Sequence, residues 1–193
     1  MRFDGQNFEN RKFVKINCPG EDLEGKEFAG CAFEKCDFSG GDFSGALFMD
    51  CKFLGCNLSN IKVDGCGFQG VEFESCKLLG INFAKIKSLL IRWEFKKCNI
   101  ELCNFARLVL KNTKFIDCGV RESDFVDANL AGSVFSGSDL QSSRFHNANL
   151  ERADFRKAIN YYIDPAYNKL KGAQFSFPDV LGLLASFGIE VEY

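Results

Sequence analysis

CAFEKCDFSGGDFSG, residues 31–45, sets two cysteines five apart among acids and glycines. Either the cysteines hold a metal or a redox bond, or they are architecture. Counting in fives settles which. From Phe3 the steps fall on Phe8, Phe13, Cys18, Leu23, Phe28, Phe33, Phe38, Phe43, Phe48, Phe53, Leu58, Val63, Phe68, Phe73, Leu78 and Phe83, all apolar. The pattern lapses at Ser88 and resumes at Phe95, running through Ile100, Phe105, Leu110, Phe115, Val120, Phe125, Leu130, Phe135, Leu140, Phe145, Leu150 and Phe155.

A period of five is neither the 3.6 of a helix nor the 2 of a strand, so it signals a short tandem repeat. Call the large apolar residue i. Two positions earlier, at i−2, stand mostly small residues: Cys31, Cys36, Ala46, Cys51, Cys56, Ile61, Cys66, Val71, Cys76 and Ile81, then Cys98, Cys103, Cys118, Ala128, Ala148 and Ala153. Residues sorted by size point inward. Positions i−1, i+1 and i+2 carry most charges and glycines and face water. Nine of the ten cysteines lie at i−2, none in a C-x-x-C pair, and one histidine cannot complete a Cys/His cluster. The cysteines therefore read as small core residues. Cys36, Cys56 and Cys76 are 20 apart, as are Cys98 and Cys118, which suggests a 20-residue coil with like stacked on like.

The segments ANLAG (128–132), ANLER (148–152) and ADFRK (153–157) match the motif A-(D/N)-L-x-x. On these residues the chain resembles the pentapeptide-repeat family. The resemblance implies an all-β fold, a right-handed quadrilateral parallel β-helix with four repeats per coil. About eight coils are expected, in a rod on the order of 40 Å long. Glycine at i+2 recurs from Gly20 to Gly80 but later only at Gly132 and Gly137. Because type II turns need a positive φ there, they are predicted to dominate the N-terminal half, with other turns in the C-terminal half.

The helical rod is assigned residues 1–175, with a frame break at 84–94, and the C-terminal element residues 176–193. Within the break, Lys87, Ser88, Leu89, Leu90, Arg92 and Trp93 form either a kink or a recognition loop. Trp93 falls on a small i−2 site, so a local distortion is expected. At the C-terminus, Ser176 and Asp179 resemble a capping box, Pro178 suits a first turn and Gly188 a C-cap. A helix of about ten residues is expected to cover the last coil. A strand should follow, placing Ile189, Val191 and Tyr193 on one side. The apolar surplus of Val180, Leu181, Leu183, Leu184, Phe187, Ile189 and Val191 points to a homodimer interface.

Bulk composition excludes several classes. The net charge is −2 over 193 residues, with 22 Phe against one Trp and four Tyr. No apolar run is long enough for a membrane span, and MRFDGQNFEN lacks a signal-peptide core, so a cytoplasmic protein with free thiols is expected. No catalytic triad, phosphate-binding loop, metal site or cofactor site is apparent, and neither an enzyme nor a small-molecule substrate is expected. Scattered bases and buried Phe argue against direct nucleic-acid binding.

Charge is nevertheless uneven. Residues 1–83 hold 13 acids and 9 bases, and residues 84–157 hold 9 acids and 13 bases. A 20-residue coil places Asp4, Asp22, Glu24, Asp42 and Asp64 on one side and Glu9, Glu27 and Asp50 on the next. These acids are either a solvated surface or an array that imitates spaced phosphates. The C-terminal order, IDPAYNKLKGAQF followed by an apolar helix and a G-I-x-V tail, resembles the ends of bacterial quinolone-resistance (Qnr-type) proteins and of the microcin B immunity protein. That resemblance implies a dimeric DNA mimic that binds DNA gyrase or topoisomerase IV. The alternative is a β-helical scaffold for an unrelated protein.

Overall fold

Stacking is what buries the large residue of each repeat. A three-residue strand cannot enclose its own phenylalanine, but the coil above and the coil below can. In a computed structural model, which describes residues 3–189, the chain winds into a parallel β-solenoid. One sheet stacks Asn7–Glu9, Glu27–Ala29, Leu47–Met49 and Gly67–Gln69. A second stacks Lys12–Val14, Ala32–Glu34, Lys52–Leu54, Glu72–Glu74, Glu94–Lys96 and Lys114–Ile116. A third stacks Lys77–Leu79, Asn99–Glu101 and Gly119–Arg121. Strand partners are 20 residues apart, as in Phe33↔Phe53, and 22 apart across the break, as in Phe95↔Phe73. The longest sheet has six strands, fewer than the eight coils expected. Beyond it, single bridges such as Val134↔Asp154 and Asp154↔Gln174 continue the column.

Inside, the size sorting is literal. Phe13, Phe33, Phe53, Phe73, Phe95, Phe115, Phe135, Phe155 and Phe175 form one stack with ring centroids 4.7 to 5.3 Å apart. Neighbouring columns meet edge to face, as Phe125 does Phe135 at 6.2 Å. Each buried ring contributes roughly 1.5–3 kcal/mol of transfer free energy.

The corners differ from expectation. Residue i+2 has positive φ in both halves: glycine at Gly40 and Gly65, but Arg107, Asn112, Asp127 and Lys157 later. Turns closed by an N–H to C=O bond across four residues, the type II arrangement, run without a gap from Phe125 to Ser143. The N-terminal half instead has many open corners, at the ends of its strands. The predicted distribution is thus reversed. Glycine relieves the strain of positive φ but does not choose the corner.

The residue at i−2 tracks the corner. After the closed turns from Phe125 onward it is small, as at Ala128, Ser133, Ser138, Ser143 and Ala153. After open corners it is usually cysteine, and there the thiol supplies missing hydrogen bonds. Cys36 N–H donates to Cys56 Sγ, and Cys56 N–H to Cys76 Sγ, each at 3.4 Å. The Cys56 thiol donates to the Phe33 carbonyl below at 3.3 Å, and that of Cys76 to Phe53 at 3.3 Å. The column goes on through Cys98 and Cys118 to Ser138, whose Oγ accepts from Cys118 N–H at 3.0 Å. The nine cysteines at i−2 form no disulfide.

The break is absorbed on one face. Residues Phe83–Lys85 form a 3-10 turn, and Lys87 still bridges Gly67. Ser88, Leu89 and Leu90 then turn outward, with Leu90 at φ 57°. Trp93 is not a distortion. It swings inward where a ring is missing, is buried, and donates Nε1–H to the Phe68 carbonyl at 2.9 Å. It meets Phe68 and Phe95 edge to face.

The C-terminal element is a nine-residue 3-10 helix, Asp179–Phe187, ended by Gly188 at φ 62°. The capping box does not form. Pro178 stands at the N-cap with no side-chain bond, because the Ser176 Oγ instead accepts the Lys157 N–H at 3.1 Å. Leu183 packs against the core. The expected strand, with Val191 and Tyr193, lies outside the described residues.

Candidate docking surface

With its interior filled, the solenoid has only its outer faces to offer. Among the described residues, no group of three or more His, Cys, Asp or Glu could hold a metal ion. His146 is exposed and lies 4.8 Å from the Tyr167 ring. No helix in the described residues is long and apolar enough to cross a membrane.

The acids fall into two kinds. Those at i−1 are tied into the corner: the Asp22 carboxylate accepts Glu24 N–H at 2.8 Å, and Asp42 accepts Ser44 N–H at 3.0 Å. The motif's Asp or Asn is therefore partly structural, closing an Asx turn. Hydrogen bonds from Ser44, with help from the Lys62 ammonium, hold Asp42 below the usual carboxylate range. Those at i+1, such as Glu9 and Glu24, project from the wall.

The structure does bring the expected stripe to one side, with Asp22 bridging Asp42 and Asp42 bridging Lys62. It also breaks it. Lys62 pairs with Asp42 at 3.3 Å, and Lys85 pairs with Asp64 at 2.9 Å. Each lysine comes from the next coil. Glu9, Glu24, Glu27 and Asp50 have no ion pair among the described residues, and Glu24 stands beside Asp22 near the N-terminal end. Asp4 lies on the same side and is exposed. Of the acids without an ion pair, Glu9, Glu24 and Glu27 lie in the first coils, and Asp50 is set apart at another corner.

The candidate loop divides. Leu89 and Leu90 are 65% and 61% exposed, and Lys87, Ser88 and Arg92 are exposed with them. Trp93 belongs to the core. At the C-terminal end Val180, Leu181, Leu183 and Leu184 are half-buried, whereas Phe187 and Ile189 are 60% and 54% exposed. Phe177 is 74% exposed beside them in sequence. Sequence reasoning missed the cations Lys111, Arg152 and Lys171, which line clefts along one corner. The signal was there in the excess of bases after residue 83.

Stacked 20-residue coils around a phenylalanine core, with function left to the outer faces, define a repeat solenoid. The chain belongs to the pentapeptide-repeat family: the pentapeptide repeat region matches residues 26–91 and 88–159. Two solved structures extend the likeness. One trypsin-treated variant of QnrB1, a plasmid-mediated fluoroquinolone resistance protein, aligns with 96% of this chain and 100% of its own, at 20% identity and a TM-score of 0.65. A second such variant aligns with 100% of this chain and 94% of its own, at 23% identity and a TM-score of 0.56. They share this fold. Among curated proteins, no sequence matches this chain.

Proposed function

We propose that this chain is a non-catalytic, DNA-mimicking rod that binds a type II topoisomerase, DNA gyrase or topoisomerase IV, and so modulates it or protects it from quinolones or toxins. The observation that carries the reading is the end-to-end alignment with QnrB1, described as a fluoroquinolone resistance protein. The acids of the first coils support it. Parallel strands repeat about every 4.8 Å, so carboxylates on successive coils form a stepped negative array on a rigid rod. Glu9, Asp22, Glu24 and Glu27 are the contacts assigned to the enzyme's DNA-binding surface, with Asp4, Asp42, Asp50 and Asp64 extending the array. The exposed apolar groups at Phe187 and Ile189 would join two rods at their C-terminal ends, doubling its length. The protein would act in the cytoplasm, where the enzyme is.

A second reading has its own support. The Lys62–Asp42 and Lys85–Asp64 pairs interrupt the negative array, which suits a scaffold for some other protein. A supercoiling and cleavage assay on gyrase, with and without a quinolone, separates the two. Inhibition of supercoiling or relief of quinolone-stabilised cleavage at micromolar protein supports the first reading. No effect on either sinks it and leaves the scaffold.

A further inference from the structure

Three surface clefts, of about 430, 330 and 290 Å³, lie along one corner of the solenoid. The first two share Lys111 and Asn112, and the last two share Glu151 and Arg152. They therefore form one groove running along the rod. Its cations come in two clusters. Arg92 and Lys111 stand at one end, Arg152 and Lys171 at the other, and none of the four makes an ion pair among the described residues. Between them the wall is small and neutral, at Ala131 and Gly132.

The spacing follows from the coil. Lys111 and Lys171 occupy equivalent places three coils apart, so the clusters are separated by about 14 Å, or about four residues of extended peptide. We infer that this groove binds an extended acidic segment of a protein partner, with carboxylates on about every fourth residue reaching the two clusters.

The carboxylates in the groove argue for a peptide over a uniform polyanion. Glu72 and Glu94 carry their own lysines, at 2.9 Å from Lys52 and 3.2 Å from Lys114. Asp50 and Glu151 remain and would repel a chain charged at every unit. A peptide can set neutral or basic residues opposite them. Trp93, the aromatic residue on the wall, is buried, so it offers no face for a base to stack on. Asn112 and Asn149 provide amides for the backbone of a bound strand. This inference does not rest on topoisomerase binding: of the acids assigned to that contact only Asp50 lines the groove.

The test titrates the full chain with three fluorescent probes: a short peptide with acids four residues apart, the same composition with its acids contiguous, and an oligothymidylate. Anisotropy is read at low and moderate salt. The spaced peptide is expected to bind best, in a salt-dependent manner. Lys111→Glu with Lys171→Glu should weaken it about tenfold, while Lys15→Glu with Lys35→Glu, on another corner, leaves it unchanged. These residues are exposed, and an unaltered melting temperature confirms folding. Tighter binding of the oligothymidylate, equal binding of the contiguous peptide, no binding of the spaced peptide, or indifference to the groove substitutions would overturn the inference.

Discussion

The backbone N–H of Cys36 donates to the Sγ of Cys56, twenty residues on, at 3.4 Å. The open corner before Cys36 leaves that N–H without a turn carbonyl, and the thiol of the next coil takes its place. Cys56→Ala removes the acceptor and strands a buried donor, and should destabilise the chain by about 1–3 kcal/mol. Cys56→Ser should cost less, because Ser138 already fills the equivalent site of this column. Urea denaturation of the two variants measures the difference.

Alkaline pH should loosen the rod. Burial pushes the thiols of Cys51 and Cys103 up to about 12, from an ordinary 9.0. A thiol that keeps its proton more tightly when folded contributes its full stability below the unfolded value. That contribution falls as pH rises from 9.0 toward about 12. Denaturation midpoints should decline across this window, and the decline should be shallower in Cys51→Ser with Cys103→Ser.

Trp93 reports on the break. Its emission should be that of a buried indole in the folded chain and shift to the red on unfolding. Trp93→Phe keeps a ring but loses the bond to the Phe68 carbonyl, costing about 1 kcal/mol. Trp93→Ala leaves a cavity and should cost about 3–5 kcal/mol. Equal costs for the two would mean that the hydrogen bond, not the ring, holds the break together.

On the acidic side, Glu24→Lys and Glu9→Lys should weaken any effect on gyrase about two- to fivefold each, the range expected of exposed charges. Lys62→Ala and Lys85→Ala should act oppositely, since they release Asp42 and Asp64. Supercoiling titrations check both directions. A weakening by the lysine variants would instead favour the scaffold reading.

On the proposed C-terminal dimer, Phe187→Asp with Ile189→Asp should halve the mass seen by sedimentation. The monomer so produced should stay folded, because both side chains are exposed in the single chain. Leu183→Ala should lower the melting temperature, since Leu183 packs on the core.

The phenylalanine columns were legible because a period of five has no competing explanation, and the cysteines were legible by their place in it. Trp93 was misjudged because counting positions assumes a rigid frame. Two extra residues let Ser88 leave the interior and the indole enter. Turn type was misjudged because glycine marks positive φ, whereas Leu90, Arg107 and Lys157 adopt it too. The acidic stripe looked continuous because the acids were grouped by face while their partners were not. Lys62 lies one 20-residue coil beyond Asp42, and Lys85 lies one residue more beyond Asp64. Ser176 looked like a cap because a local motif does not show the Lys157 N–H arriving from the coil before it.

The stack from Phe13 to Phe175 crosses the two-residue insertion with ring spacing unchanged, 4.9 Å between Phe73 and Phe95. The two halves therefore keep a common azimuth, and the rod has no swivel. A body gripping both halves meets surfaces whose phase was set when the rings piled up, like marks on a single ruler. Loss of structure should then start from the ends, where a ring has a neighbour on one side alone, and move inward coil by coil.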